Sequence, residues 1–242
     1  MKTSKIINEV KSIILQHAKP SRIYLYGSYV NGDATPTSDI DIAFDDKNCD
    51  DIYIIKDKVE KIETLVKIDI TNIAKTCNRF RNRIISTGKV IFSATKQLRA
   101  EDALFNFSYS LDRFSEIVDS LDYFKEKGIE DMYLDIIVKR FEFTYEMAWK
   151  TLRRYLIFLG FDIKHPREAF KEGYAQAIIT DENIWLDMIE QRNLSAHVYD
   201  EFQIREILAK TKEYNQAFNA LKNEIEKHLF PSKPASIVNN KE

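Results

Sequence analysis

Gly27 and Ser28 are followed, after ten intervening residues, by the triplet Asp39-Ile40-Asp41. That spacing lets a tight turn and two carboxylates address a single nucleoside triphosphate. Residues two apart on a strand share a face and lie roughly 6.6 Å apart along the chain. Asp39 and Asp41 then point one way, while Ile40 and Ile42 pack the other way. Like charges held so close repel, and a cation between them resolves the repulsion. Oxygen-only ligands suit Mg2+, which keeps bound waters and takes up phosphate oxygens. Gly27 allows close approach of backbone to a phosphate, and Ser28 offers a hydroxyl and an N–H at a helix start. Asp69, set between Ile68 and Ile70 in a second strand-like run, supplies a third carboxylate. Asp39, Asp41 and Asp69 could together hold metal while one of them deprotonates an incoming hydroxyl, the chemistry of in-line phosphoryl transfer.

The elements that must position these groups follow from local pattern. Residues 22–26 form a short β-branched and aromatic run ended by glycine, which reads as a buried strand. A turn-plus-helix segment carries Gly27, Ser28 and Gly32, and residues 38–44 alternate as a second strand. Ser4 is placed to cap a first helix bearing Ile7, Val10, Ile13 and Ile14, with Pro20 beyond its end. Helices near 50–64 and 74–86 flank the Asp69 strand, and residues 89–92 form a last strand. The order α-β-α-β-α-β-α-β predicts a small mixed sheet with flanking helices over residues 1–94.

Past residue 96 the character changes, and nearly every stretch to 229 reads as helix. The prediction is an all-α bundle of four or five helices over 97–230, which makes the chain α+β as a whole. Gly128, Gly160 and Gly173 are expected near helix ends. Ile137, Phe141, Ala148, Leu152, Tyr155 and Leu159 fall within roughly 60° of one another on an ideal helix, a core-facing stripe. Lys139, Lys150, Arg153 and Arg154 share a side with Glu142 and Glu146, which reads as a solvated ion-pair ladder. Residues 231–242 are polar with two prolines and read as a disordered tail.

Composition narrows the functional classes. A net charge of −2 argues against a general nucleic-acid binder, so RNA contact would need a local patch. Cys49 and Cys77 are far apart and lack Cys-x-x-Cys or histidine company, which argues against a disulfide scaffold or zinc site. No apolar run reaches membrane-helix length and no signal-peptide core is present, so a cytoplasmic protein without membrane association is expected.

A second constellation lies near the end of the bundle. Glu190, Asn193 and His197 fall on one helical face, at i, i+3 and i+7. Arg192 and His197 are about 140° apart on a straight helix. They share a site only if the helix end loosens or a second subunit completes it. Arginine, asparagine and histidine together could bind a phosphodiester and move a proton, or simply form a capped, salt-bridged helix end.

Residues 20–92 resemble the minimal nucleotidyltransferase family of the DNA polymerase β-like superfamily, with Gly27, Ser28, Asp39, Asp41 and Asp69 on its motif. The resemblance implies Mg2+-dependent transfer of AMP or another nucleoside monophosphate from a triphosphate to a hydroxyl, with pyrophosphate released. Asn31 departs from it, standing where many members carry a basic residue before the second glycine. Residues 100–229 resemble the nucleotidyltransferase substrate-binding family of the HEPN superfamily, through residues 140–151 and the run Arg192-Asn-Leu-Ser-Ala-His-Val-Tyr199. Arg192, His197 and Tyr199 match the superfamily's Arg-x4-His-x-Tyr signature, which marks the cleavage site of its ribonuclease members at a dimer interface. In similar HepT/MntA-type toxin–antitoxin pairs, the nucleotidyltransferase attaches AMP to the tyrosine of that signature. By resemblance, ATP is the nucleotide substrate and Tyr199 the acceptor. Arg192, Asn193 and His197 would form a HEPN site open to RNA, and the helical domain would form a homodimer. Two alternatives stand beside this reading: a ribonuclease toxin restrained in cis, and a non-catalytic dimerisation and docking module.

Overall fold

The computed structural model describes residues 2–35, 37–195 and 201–231, and the chain divides into two compact units, Met1–Leu98 and Arg99–Glu242. In the first unit, helix α1 (Lys2–His17) buries Ile6, Val10 and Ile14, one side chain per turn at four-residue spacing. Ser4 lies inside this helix instead of capping it, because the helical pattern already begins at Lys2. Strand β1 (Arg22–Tyr26) leads through the four-residue helix α2 (Ser28–Asn31) to β2 (Ile40–Phe44). Helix α3 (Ile52–Glu60) crosses over to β3 (Ile68–Asn72). A 3₁₀ turn at Ile73–Lys75 and helix α4 (Asn78–Thr87) then precede β4 (Lys89–Ser93).

The sheet order is β3-β2-β1-β4, antiparallel at β1–β2 and β1–β4 and parallel at β2–β3. Parallel strands need a crossover connection, which is the role α3 fills. Alternation divides the sheet into two faces. Ile23, Leu25, Ile40, Ile42, Phe44 and Ile70 bury themselves against α1 and α3 side chains such as Ile14 and Ile55. The opposite face has a smaller cluster of Tyr24, Ala43, Ile73 and Ile84. This second face also carries Asp41 and Asp69, at the end where the strands begin.

The second unit comprises six helices among the described residues, more than the four or five expected: α5 (Lys96–Val118), α6 (Leu121–Glu126), α7 (Glu130–Leu159), α8 (Pro166–Ala175), α9 (Glu182–Ser195) and α10 (Glu201–Leu229). The extra one is the six-residue α6, too short to leave a periodic stripe in sequence. Phe218 of α10 packs against Phe107 and Phe114 of α5, Phe141 of α7 and Trp185 of α9, with ring centroids 5.7–6.4 Å apart. Such aromatic contacts add to the burial of large apolar surface.

The stripe on α7 is buried from Ile137 to Tyr155, but Leu159 is exposed because the helix ends there at Gly160. Gly173 lies in the last turn of α8, near its end as expected, and a Cβ there would press on Leu152. The expected ladder on α7 is present as Lys139–Glu142 and Lys150–Glu146 pairs, each at 2.8 Å. No helix among the described residues is long and apolar enough to cross a membrane.

Candidate active site

Hydrogen-bond register builds the first site. Tyr26 pairs with Asp41 across the antiparallel β1–β2 ladder, and Asp41 pairs with Asp69 across the parallel β2–β3 ladder. The three side chains form one row across the sheet on the face opposite the main core. Neighbouring strands stand about 4.8 Å apart, so the two carboxylates are held side by side by backbone alone.

Asp39 does not belong to β2, which begins at Ile40. The chain turns just before it: Ser38 N–H donates to the Thr35 carbonyl at 3.1 Å, and the Ser38 hydroxyl accepts from Thr35 N–H at 2.8 Å. Extending the Ile40–Ile68 register by one residue places Asp39 opposite Lys67. The Lys67 carbonyl accepts from Ile40 N–H at 2.9 Å, which anchors that end of the pairing. Lys67 Nζ lies 3.1 Å from Asp69 Oδ2 and 3.4 Å from Asp39 Oδ2. One ammonium thus draws two of the three acids together.

Burial pushes the Asp41 carboxyl above its ordinary value, and the charges of Asp69 and Asp39 push it further, with Lys67 opposing them. Its ionised form is therefore under electrostatic stress that a nearby cation relieves. Burial likewise raises the Tyr26 phenol, against a hydrogen bond with Thr71, and both Asp41 and Asp69 add to the rise. Arg83 of α4, over the Phe80 ring at 5.1 Å, brings a guanidinium within electrostatic range of Tyr26.

Gly27 closes this site from one side. Its φ of 74° and ψ of −151° lie in a region open essentially only to glycine. A Cβ there would overlap Asp41 Oδ2, so the backbone touches the carboxylate through the missing side chain. Ser28 follows at once and opens α2, half-buried. With four residues that helix has little macrodipole, so Ser28 contributes its hydroxyl and N–H more than a helix field.

Among the described residues, no three His, Cys, Asp or Glu side chains form a ready-made metal cage. The chemistry nonetheless fits: the donors are oxygen only, Asp39 and Asp69 already converge on a cation, and Asp41 is stressed by its charge. A hard cation such as Mg2+ completes its shell from water and phosphate, so a full protein cage is not required.

The second constellation is reached only in part. Arg192 is half-buried and Asn193 exposed on the last turn of α9, while His197 and Tyr199 lie outside the described residues. Arg192 and Asn193 line a groove of about 700 Å³ together with Tyr145, Glu146, Trp149 and Arg167. Burial pushes the Tyr145 phenol far up, with the Arg192 charge opposing. Burial also opposes the Glu146 charge, but hydrogen bonds from Lys150 and Trp149 bring its carboxyl below its ordinary value. The Trp149 indole N–H donates to Glu146 Oε2 at 2.8 Å.

Lys67 and Tyr26 are site residues that the motif reading missed. Lys67 was accessible from period-two spacing, being two residues before Asp69, and Tyr26 from standing two after Tyr24 on the same face.

Residues 8–97 match the polymerase beta, nucleotidyltransferase family model, and residues 102–227 match the model for nucleotidyltransferase substrate binding protein like domains. The molecule is thus a nucleotidyltransferase domain joined to a substrate-binding helical domain, and nucleotidyl transfer is the activity this pairing supports. With more than half of its length matched by the second model, the chain belongs to the nucleotidyltransferase substrate binding protein like family. None of the curated proteins matches it.

Proposed function

We propose that the N-terminal domain transfers AMP from ATP to a hydroxyl acceptor, and that the acceptor is Tyr199 of the helical domain, in the same chain or in a partner copy. The observation that carries the reading is the Asp41–Asp69 register pair set against the Gly27 turn, with Asp39 drawn to the same place through Lys67. Asp39, Asp41 and Asp69 would hold Mg2+. Bound there, the ion would neutralise phosphate charge and favour in-line displacement. Gly27 and Ser28 seat the triphosphate against the sheet end. The acceptor oxygen attacks the α-phosphorus while Asp69 takes its proton. A new O–P bond forms, the bond from the α-phosphorus to the bridging oxygen breaks, and pyrophosphate leaves.

On Tyr199 the product would be a phosphodiester with a negative charge, close in sequence to Arg192, Asn193 and His197. It would block an RNA phosphate from that site by charge and bulk. This is how a toxin–antitoxin pair joined in one chain would hold its HEPN site silent in the cytoplasm. Intact-mass analysis after incubation with ATP and Mg2+ tests the proposal. One added AMP per chain, mapped to Tyr199 and absent from Asp39→Ala/Asp41→Ala, is expected. No added mass, or equal labelling of the double variant, overturns it.

A ribonuclease reading draws on Arg192 and Asn193 lining a groove wide enough for a nucleotide. It predicts that His197→Ala abolishes cleavage of single-stranded RNA by the unmodified full chain.

A further inference from the structure

An exposed lysine between two acids adds little to stability, since such pairs are screened and entropically costly. Lys67 is 65% exposed, and its partners Asp39 and Asp69 are 47% and 50% exposed. Its placement is nonetheless tightly specified. Its backbone carbonyl is tied to Ile40 N–H, and its side chain lies on the same face as Asp69, two residues on. Its ammonium reaches both flanking carboxylates, and Asp41 also feels its charge. Asp39, Lys67, Asp41 and Asp69 thus make a two-by-two block across the β2–β3 end, three acids and one base.

We propose that Lys67 is a displaceable counter-cation, which holds the carboxylates together and competes with a divalent cation for them. The inference rests on the reading of these carboxylates as a metal site. A divalent cation held by Asp39 and Asp69 through these oxygens would meet the ammonium, because both residues place Oδ2 against Nζ. Two positive groups within about 4 Å repel appreciably even in water. Lys67 must swing aside, and its flexible four-carbon stem allows this without moving β3. Cation entry is thereby opposed until a ligand offers the freed ammonium another anion. A triphosphate brought in with the metal does so, which makes nucleotide and metal binding cooperative.

The test is calorimetric titration of Mn2+ into the full-length chain, with and without a non-hydrolysable ATP analogue. Lys67→Met keeps the side-chain length and removes the charge. Without nucleotide it should bind Mn2+ on the order of tenfold more tightly than the parent. The gain from adding the analogue should shrink by a similar factor. Lys67→Arg retains the charge and should stay within about twofold of the parent. Equal or weaker Mn2+ binding by Lys67→Met would mean that the lysine only supports the carboxylates, and would overturn the inference while leaving the proposed transfer untouched. Asp39→Asn/Asp69→Asn separates the two failures. If it binds Mn2+ as tightly as the parent, or if no protein binds Mn2+, the carboxylates are not the metal site and both readings fall.

Discussion

Asp41 in the sheet unit and Glu146 in the helical unit are both half-buried carboxylates that lose hydration, yet their surroundings answer that loss in opposite ways. Glu146 receives Trp149 Nε1–H at 2.8 Å and Lys150 Nζ at 2.8 Å, and its carboxyl falls below the ordinary value. Asp41 gains two further carboxylates as neighbours, and its carboxyl rises. One acid is satisfied by its own helix, and the other is held against its preference by β register. Perturbed groups of the second kind gather where a protein works on a ligand. The helical groove holds its own charges in balance, whereas the sheet end carries an excess of negative charge for something else to neutralise.

The sharpest way to break this contrast is Asp41→Asn, which keeps the shape and removes the charge. Nucleotidyl transfer should fall on the order of 10³-fold, measured as pyrophosphate release, because several kcal/mol of charge stabilisation is lost. Glu146→Gln should leave that rate within about twofold. A comparable loss in both variants would erase the distinction.

Gly27→Ala comes next. The backbone there costs about 1–3 kcal/mol for a residue with a Cβ, and the added methyl displaces Asp41. Urea unfolding should show that loss, and transfer should fall with it.

The smallest effects concern stability alone. Because the folded pKa of Asp41 is raised above 3.8, protonation favours the folded state, and this part of the stability declines as pH rises from 3.8 through the folded value. Asp41→Asn should remove the decline and raise the urea unfolding midpoint at pH 7, by less than about 1 kcal/mol of unfolding free energy. For Glu146 the sign reverses. Its depressed pKa contributes stability present above 4.5 and lost as pH falls through the folded value, so Glu146→Gln should lower the midpoint, by under about 1 kcal/mol of unfolding free energy. Midpoints moving in the same direction would show that register stress is not what separates the two acids.

Particular residues show how far the linear chain could be read. Ile40, Ile42 and Ile70 alternate with Asp41 and Asp69, and alternation is a local property that survives into the folded sheet. The alternation runs through Asp39, yet Asp39 lies just before the strand, because Ser38 bonds back to Thr35 and the ladder starts at Ile40, two residues later than the pattern. Gly173 falls near the end of α8, as its spacing suggests, but the close approach of Leu152 of α7 to the place of its missing Cβ is a tertiary contact. Nothing within α8 itself records that neighbour.

Local pattern by itself determined the alternating strands, the glycine turn, the acidic residues and the change to helix beyond residue 96, since each depends on residues a few positions apart. Tertiary structure alone decided that β3 lies parallel to β2 in the register that sets Asp69 beside Asp41, that Gly27 abuts Asp41, and that Lys67 joins Asp39 to Asp69. The Asp41–Asp69 and Asp39–Lys67 contacts each join residues 28 positions apart, so they exist only once the crossover through α3 has closed and the backbone ladder has selected one register, while Gly27 meets Asp41, 14 positions on, through the β1–β2 pairing.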